Sequence, residues 1–422
     1  MDAPSDLIEH LFRHQSGRIV AHLIRVLGLA HIDLAEECVQ DAMVRALETW
    51  PHSGAPENAA AWLFRVAHNA AIDSIRRKRL LGEKSDSIVL ELSRSSAAPP
   101  GDPAVEEQLR DDELRMIFMC CHPEIPRDAR VALSLKIAGG FSVAEIARAF
   151  LAEEAAIAQR LVRAKRQIRD RRLTLDMPAG RELGERLDSA LDVVYFLFNE
   201  GYASHTGENL IRQDLCMEAL RLARLIAASS ISNPRVDALA ALIAFNAARL
   251  PARVDASGDL ILLEQQDRSR WDRELIALGF QHFDRSITGD DVSEYHVQAA
   301  IAATHARALD RDLIDWPAIL NLYDQLFAIN ASPVVALNRA VAVAKVHGAA
   351  AGLAAIESLD LPDYYLLLAV RGHLLLELGR NDEAAGCFRA ALECPCSEPE
   401  RRFLRRKLAE SSASPAGSPA FR

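Results

Sequence analysis

A chain of 422 residues, half of them hydrophobic and with a formal net charge of −10 at pH 7, exceeds one ordinary core and is incompatible with wholesale disorder; two or three domains are expected. Ala, Leu and Arg outnumber β-branched and aromatic residues, which favours helices, and no apolar run is long enough to span a bilayer. The N-terminus MDAPSDLIEHLFRHQ lacks the basic-then-apolar layout of a signal peptide, so residence in the cytoplasm is the expectation.

Three helices are predicted within residues 1–79. The first, over 6–27, carries Leu7, Leu11, Ile19, Leu23, Val26 and Leu27 on its apolar side. The second, over 33–50, has an apolar stripe of Ala35, Val39, Ala42 or Met43, Ala46 or Leu47, and Trp50. Asp33, Glu36, Glu37, Gln40, Asp41 and Glu48 crowd the rest, against the single counter-charge of Arg45. Like charges on one helix repel, so such a face is either solvated or docks on a basic partner. The third helix, ENAAAWLFRVAHNAAIDSIRRKR over 57–79, sets Leu63, Val66, Ala70 and Ile75 toward a core. Arg65, Asn69, Asp73 and Arg76 recur on another side, and the helix ends in Arg76-Arg77-Lys78-Arg79. With Trp62 and Phe64 near its start, it offers cations for phosphates and flat rings for exposed bases, as melted or single-stranded DNA requires. Taken singly, each aromatic reads as a core residue.

Residues 80–112 are rich in Ser, Ala and Pro, with Pro99-Pro100-Gly101-Asp102-Pro103 as a structural stop, and are expected to form a flexible linker. A domain over 113–175 follows. Its first helix begins at 113–119 and is interrupted across LRMIFMCCHPEIP; a second spans 127–138, and Ala138-Gly139-Gly140 makes a turn. Residues 142–172 read as a helix-turn-helix. Ser142 with Glu145 forms a capping-box signal, Phe150-Leu151-Ala152 a break, and Glu153 and Glu154 suit the next N-terminus. In the second helix Ile157, Leu161, Ala164 and Ile168 form the inner stripe, while Gln159, Arg160, Arg163, Lys165, Arg166 and Arg169 take the other faces. Lys and Arg outnumber Asp and Glu eleven to five over 127–172, whereas over 173–422 they are outnumbered 34 to 25. The basic surface is therefore local, and local charge sets the phosphate-contact strength.

An acidic helix, then an AWLFRVAHNAAIDSIRRKR helix, a linker and a basic helix-turn-helix resembles, in that order, RNA polymerase sigma factors of the extracytoplasmic-function type. The resemblance to the two sigma domains covers about 6–79 and 114–172. It implies that residues 1–79 bind core polymerase and the −10 element, and 113–175 the −35 element. Glu37, Gln40 and Asp41 would bind the clamp of the polymerase's largest subunit. Trp62, Arg65, Asn69, Asp73, Arg76 and Arg77, with the loop 51–57, would hold the melted strand; Gln159, Arg160, Arg163, Lys165 and Arg166 would read the −35 duplex. The partners implied are core polymerase and promoter DNA, with no membrane.

The remaining half is longer than a minimal two-domain sigma factor needs. A helix runs to about Glu200, a break covers 201–207, and a second helix carries Leu215, Ala219, Leu222 and Ile226. Further helices are predicted over 234–249, from 267 to 279, and over 295–308, 316–329, 334–346 and 364–378, with a turn at 255–259 and a brief extended piece at 260–263. Gly379, Ala384, Phe388 and Ala391, with Pro395 after them, match the small/large pattern of a tetratricopeptide repeat, and 332–359 could be a degenerate preceding unit. The expected fold is all-α: two small helical sigma domains and a tetratricopeptide-like extension over 180–410, ending in a disordered tail over 411–422. FNEGYAS, LCMEALRLARL, LLEQQDRSRWDR and Cys-Cys-His-Pro at 120–123 resemble the sigma branch that carries such an extension. Glu264, Asp267, Arg268 and Trp271 are candidates for a regulatory contact with a protein or with the sigma domains; the bland alternative is ion pairing that pins the extended piece.

Neither Cys120-Cys121-His122 nor Cys394-Pro395-Cys396 has zinc-site spacing, so no metal or cofactor is expected. Glu200, Glu264, Asp267, His296 and His305 are scattered without nucleophile–base spacing, which argues against an enzyme. The competing reading is a stand-alone helix-turn-helix regulator with a helical solenoid sensor, binding duplex DNA unaided.

Overall fold

The computed structural model describes residues 4–78, 88, 103–150, 152–202, 212–255, 257–289, 291–308, 310–361 and 364–412. The chain divides into two compact units, Met1–Phe196 and Leu197–Arg422. Both are helical; among the described residues the one β feature is an isolated antiparallel bridge between Val254 and Leu260.

In the first unit, α1 (Pro4–Leu27), α2 (Ile32–Ser53) and α3 (Ala59–Lys78) pack on one another. Ile19, Leu23 and Ile24 of α1, Ile32 and Trp50 of α2, and Leu63 and Ile75 of α3 are large, fully buried side chains. Asn58 starts α3 by accepting a hydrogen bond on Oδ1 from the Ala61 amide at 3.0 Å, which satisfies one orphan donor of the first turn.

The predicted linker over 80–112 needs correction at its C-terminal end: α4 runs from Pro103 to Cys120, and residues 79–87 and 89–102 lie outside the described residues. Proline is tolerated at the first position of a helix, where its missing N–H is no loss. Tertiary packing supplies the rest. Leu109 is buried, and Asp112 Oδ2 meets His22 Nδ1 at 2.7 Å while Arg25 Nε comes within 3.1 Å of its Oδ1. The LRMIFMCC run is likewise no interruption. Met116, Ile117, Phe118, Met119 and Cys120 are all buried, so this stretch is apolar all round and shows no helical period.

Helix α5 (Arg127–Leu133) continues as a π turn over Ser134–Ala138, closed by the Gly139 amide donating to the Ser134 carbonyl at 3.0 Å. That turn packs on α1. A Cβ on Gly17 would stand 2.2 Å from the Ala138 carbonyl oxygen, so the backbones meet at a distance only glycine allows. Helices α6 (Val143–Phe150) and α7 (Glu154–Asp170) complete the helix-turn-helix, and α8 (Arg181–Tyr202) carries the division between the units.

The second unit is a chain of helices packed mainly on their sequence neighbours: α9 (Gln213–Ala227), α10 (Pro234–Ala247), α11 (Arg273–Ser286), α12 (Glu294–Arg307), α13 (Trp316–Ile329), α14 (Pro333–His347), α15 (Ala349–Ala355), α16 (Tyr365–Glu377), α17 (Asn381–Glu393) and α18 (Glu398–Ser412). Neighbour-on-neighbour packing is the solenoid arrangement. Helix α10 is the exception, buried on nearly every side and packed on α9, α11 and α12. At the repeat-like end Ala384, Phe388 and Ala391 are buried, and Gly372 receives the Phe388 ring where a Cβ would sit 2.8 Å away. The helix predicted from 267 starts later. Asp267 caps a short 3-10 turn over Arg268–Arg270, and Asp272 then caps α11 by accepting from the Glu274 and Leu275 amides at 2.9 and 3.0 Å. Each acid caps the element that follows it, and the buried Trp271 lies between the two.

Candidate nucleic-acid interface

The capping box forms as predicted. The Ser142 amide donates to Glu145 Oε2 at 2.7 Å, and the Glu145 amide to Ser142 Oγ at 3.1 Å, which sets the start of α6. Ile146 and Ala147 of α6 and Ile157, Leu161, Ala164 and Ile168 of α7 are buried, so the predicted inner stripe is the observed one. The outer face of α7 divides in two. Gln159, Arg163 and Arg166 are exposed at helical spacing together with Val162, an apolar side chain 62% exposed in their midst. Arg163 has no ion-pair partner among the described residues; Arg166 pairs within the helix to Asp170 at 3.4 Å, and Arg160 reaches Asp128 at 3.1 Å.

The other side of α7 faces α2. Lys165 Nζ donates to Asp33 Oδ1 at 2.8 Å and to Glu36 Oε2, and Arg169 Nη1 donates to Asp33 Oδ2 at 3.2 Å. Burial would lower the Lys165 pKa, but the Glu36 and Asp33 carboxylates outweigh it and hold the ammonium above its usual range. Burial would likewise raise the Asp33 carboxyl; its hydrogen bond to Lys165 and the nearby Lys165 and Arg169 charges keep it below the usual carboxylate range. Lys165 is therefore held against α2 rather than presented outward with Gln159, Arg163 and Arg166.

On α3 the residues Arg65, Asn69, Asp73, Arg76 and Arg77 are all exposed. With the half-buried Trp62 they trace one line along the helix, as spacings of three and four demand. Arg65 and Arg76 have no carboxylate partner among the described residues, and Arg77 Nε donates to the Asp73 carbonyl at 3.3 Å. The Trp62 ring rests edge-on against the buried Trp50, centroids 5.3 Å apart. Phe64 instead is buried, packed between His22 and His68, and belongs to the core. On α2, Glu37, Gln40 and Asp41 are exposed and continue the face of Asp33 and Glu36 one turn further; Val44, 51% exposed, follows.

Comparison with known proteins decides what this pair of basic surfaces is. Sigma-70 region 2 matches residues 11–80 and sigma-70 region 4 matches residues 115–168. An extracytoplasmic-function RNA polymerase sigma factor, SigK, of Mycobacterium tuberculosis (strain ATCC 25618 / H37Rv) is 24% identical over 163 residues, which are 38% of this chain and 82% of that protein. This chain is an RNA polymerase sigma factor, similar to the extracytoplasmic-function type. SigK of Mycobacterium bovis (strain ATCC BAA-935 / AF2122/97) matches to the same extent. An uncharacterized protein of Rhizobium meliloti (strain 1021) is 39% identical over 402 residues, 92% of each chain, so the sigma domains and the extension occur together elsewhere. Residues 186–287 match a family of unknown function (DUF6596), and no solved structure matches the chain. A sigma factor engages core RNA polymerase and promoter DNA to start transcription, and the region 2 match leaves the stand-alone regulator without support.

The clusters that invited other chemistry are structural in this sigma factor. Burial pushes the Cys121 thiol up to about 12, and Cys120, wholly buried beside it, is raised as well, so neither supplies a thiolate at neutral pH. Ser189 Oγ donates to the Cys121 carbonyl at 2.7 Å and Arg130 Nη1 to Ser189 Oγ at 2.7 Å, which locks this corner. Among the described residues no three His, Cys, Asp or Glu side chains come together as a metal site, and no helix is long and apolar enough to cross a membrane.

In the extension the four candidate contact residues divide. Glu264 pairs with Lys345 at 2.9 Å, and Asp267 is exposed but accepts from the Ser269 amide and hydroxyl at 2.9 and 2.7 Å. Arg268 turns inward to the His305 and Ala308 carbonyls, and Trp271 is only 4% exposed. A protein partner does not reach Trp271 directly, which corrects the expectation of a surface contact for that residue: its indole is packed under guanidinium groups.

Proposed function

We propose that α7 reads the −35 element through Gln159, Arg160, Arg163 and Arg166, with Val162 added to that set, and that Lys165 joins them once released from α2. The line Trp62, Arg65, Asn69, Asp73, Arg76 and Arg77 on α3 captures the melted −10 strand. Glu37, Gln40 and Asp41 on α2 dock on the clamp of the largest polymerase subunit. The observation that carries this reading is the co-occurrence of two exposed lines, one on α7 and one on α3, whose Arg163, Arg65 and Arg76 have no carboxylate partner among the described residues. Unpaired arginines are available to phosphates without first breaking an ion pair.

The Lys165 and Arg169 contacts to Asp33 and Glu36 support a further step in the same reading. The α2 face that docks on polymerase is the one that holds α7, so docking there competes with the contact and frees the reading helix. The extension regulates this opening, in the cytoplasm, through a bound partner or effector.

Transcription in vitro with purified core polymerase tests the assignment. The full chain should direct a specific transcript; Trp62→Ala with Arg65→Ala should abolish strand opening, seen as lost permanganate reactivity of unpaired thymines, while leaving binding to a −35 duplex intact. Retained opening would remove α3 from the strand-capture role.

A further inference from the structure

Around Trp271 in the extension two arginines meet with no ion-pair partner among the described residues. Arg249, at the end of α10, places its guanidinium carbon 5.7 Å from the indole centroid, and Arg268 lies at 4.5 Å from the same centroid. Among the described residues Arg249 makes two long hydrogen bonds, from Nε to Gln266 Oε1 at 3.5 Å and from Nη1 to Asn246 Oδ1 at 3.4 Å. Arg268 spends Nη1 on the His305 and Ala308 carbonyls at 2.7 and 2.8 Å. Its Nη2 is buried with no hydrogen-bond partner, and the same holds for Trp271 Nε1 and His305 Nδ1. Neither arginine has an ion-pair partner among the described residues. The acid nearest Arg268 electrostatically, Asp310, accepts from the Arg311 amide at 2.6 Å to cap the next turn.

Such a cluster is costly as it stands. Each buried donor without a partner forfeits its hydration, and two cations in one apolar surround repel. The groups register that strain: burial pushes the Arg249 and Arg268 pKa values down, and neighbouring arginine charges, Arg253 on Arg249 and Arg249 on Arg268, add to it. Burial and the charges of Arg249 and Arg268 drop His305 to about 3, so it stays neutral. The missing component is negative charge with several acceptor oxygens. A carboxylate brings one charge and two oxygens and leaves one guanidinium uncompensated. A phosphate dianion balances both and has oxygens enough for the guanidinium forks and the indole N–H.

We propose that Arg249, Arg268, Trp271 and His305 form a binding site for a phosphate group, either inorganic phosphate or a phosphate monoester. The site lies in the DUF6596-matching segment and its immediate surroundings, outside the residues that the two sigma-70 regions match. It deepens the regulatory reading of the extension and depends on that reading only for its consequence, because binding can be measured without transcription.

The test is titration calorimetry of the full chain with inorganic phosphate at fixed ionic strength, with acetate and chloride as the other arms, repeated with glycerol 3-phosphate to separate free phosphate from a monoester. One saturable site for phosphate or the monoester, with acetate at least tenfold weaker, is expected. Arg249→Gln and Arg268→Gln should each weaken it tenfold or more. In nitrogen-labelled protein the indole N–H signal that Trp271→Phe removes should shift on phosphate addition. That readout on the unaltered chain decides the matter even if an arginine variant fails to fold. A flat titration with both phosphates, or an unmoved Trp271 indole signal at saturation, overturns the site. If phosphate binds but leaves transcription unchanged, the site stands and the regulatory reading falls.

Discussion

Lys165 on the basic helix α7 and Glu36 on the acidic helix α2 are hydrogen-bonded to each other although 129 residues separate them, and Asp33 completes the clasp from 2.8 Å. Lys165 and Glu36 are mostly shielded from solvent, whereas Asp33 is largely exposed, so the pair to Glu36 matters more than the pair to Asp33. Replacing Asp33 and Glu36 together by Asn and Gln should raise affinity for a −35 duplex about three- to tenfold, roughly 0.6–1.4 kcal/mol. Fluorescence anisotropy on the isolated protein measures this, and the gain should shrink as salt is raised because screening weakens the clasp in the parent. Equal affinities at low salt would mean the contact masks nothing.

A second way to open the same arrangement acts on the backbone. Gly17 meets the Ala138 carbonyl so closely that a side chain there must push α1 off the π turn. Gly17→Val should therefore also increase −35 binding, at a cost in thermal stability. If binding falls while the protein stays folded by circular dichroism, the close packing serves the reading helix rather than restraining it.

Within the reading set, Arg163 and Val162 make separable predictions. Arg163→Ala should weaken promoter binding and relax base preference at one position by about 1–3 kcal/mol. Val162→Ser should lose preference at a thymine, whose methyl an exposed apolar side chain can contact, with little change in salt dependence. Binding measured across single-base variants of the −35 site distinguishes these from a general phosphate effect, which would lower affinity uniformly.

The melted-strand assignment rests on Trp62, half-buried and held in an edge-on contact with the buried Trp50. Trp62→Ala should lose about 1–3 kcal/mol of affinity for single-stranded −10 DNA, and Trp62→Phe should recover part of it. Loss of equal size for duplex −35 DNA would instead point to a folding defect.

The extension should be acid-sensitive through His305. Its imidazole stays neutral in the fold down to about 3, whereas the unfolded chain takes up the proton near 6.5. Between those values the unfolded state binds more protons, so the stability that His305 contributes is complete above about pH 6.5 and is lost at about 1.4 kcal/mol per unit as pH falls toward 3. Denaturant titrations of the parent and His305→Gln from pH 7 to pH 4 measure it: the slope attributable to His305 should vanish in the variant. Phosphate bound beside it should also flatten the slope, since a nearby anion favours the protonated ring.

Much of the interface was legible because its elements are amphipathic. The inner stripe of α7, the line on α3 and the acid face of α2 follow from helical spacing alone, and the Ser142–Glu145 capping box is a local chemical signal that needs no tertiary context. Helix α4 was not legible. Its Met116–Cys120 stretch is apolar on all sides and its first turns are polar, so periodicity is lost at both ends. Asp112 and Glu113 become buried helix residues only because His22, Arg25 and Arg18 meet them. Val162 went unnoticed because a lone exposed valine has no meaning until the neighbouring exposed side chains are known.

The amino-acid sequence by itself determined the all-α class, the order of an acidic helix, a helix with a basic exposed line and a basic helix-turn-helix, and hence the likeness to sigma factors. Those depend on residue type and on spacings shorter than a few helical turns. Only the tertiary structure decided which charges are spoken for. Lys165 and Arg163 are two residues apart and chemically alike in sequence, yet one is held by Glu36 and the other has no ion-pair partner among the described residues. Arg268 and Trp271 looked like surface recognition residues, yet Trp271 is buried and Arg268 turns inward with no ion-pair partner among the described residues. Charge compensation depends on what lies within a few ångströms, and for these residues that is set by segments far away in the chain.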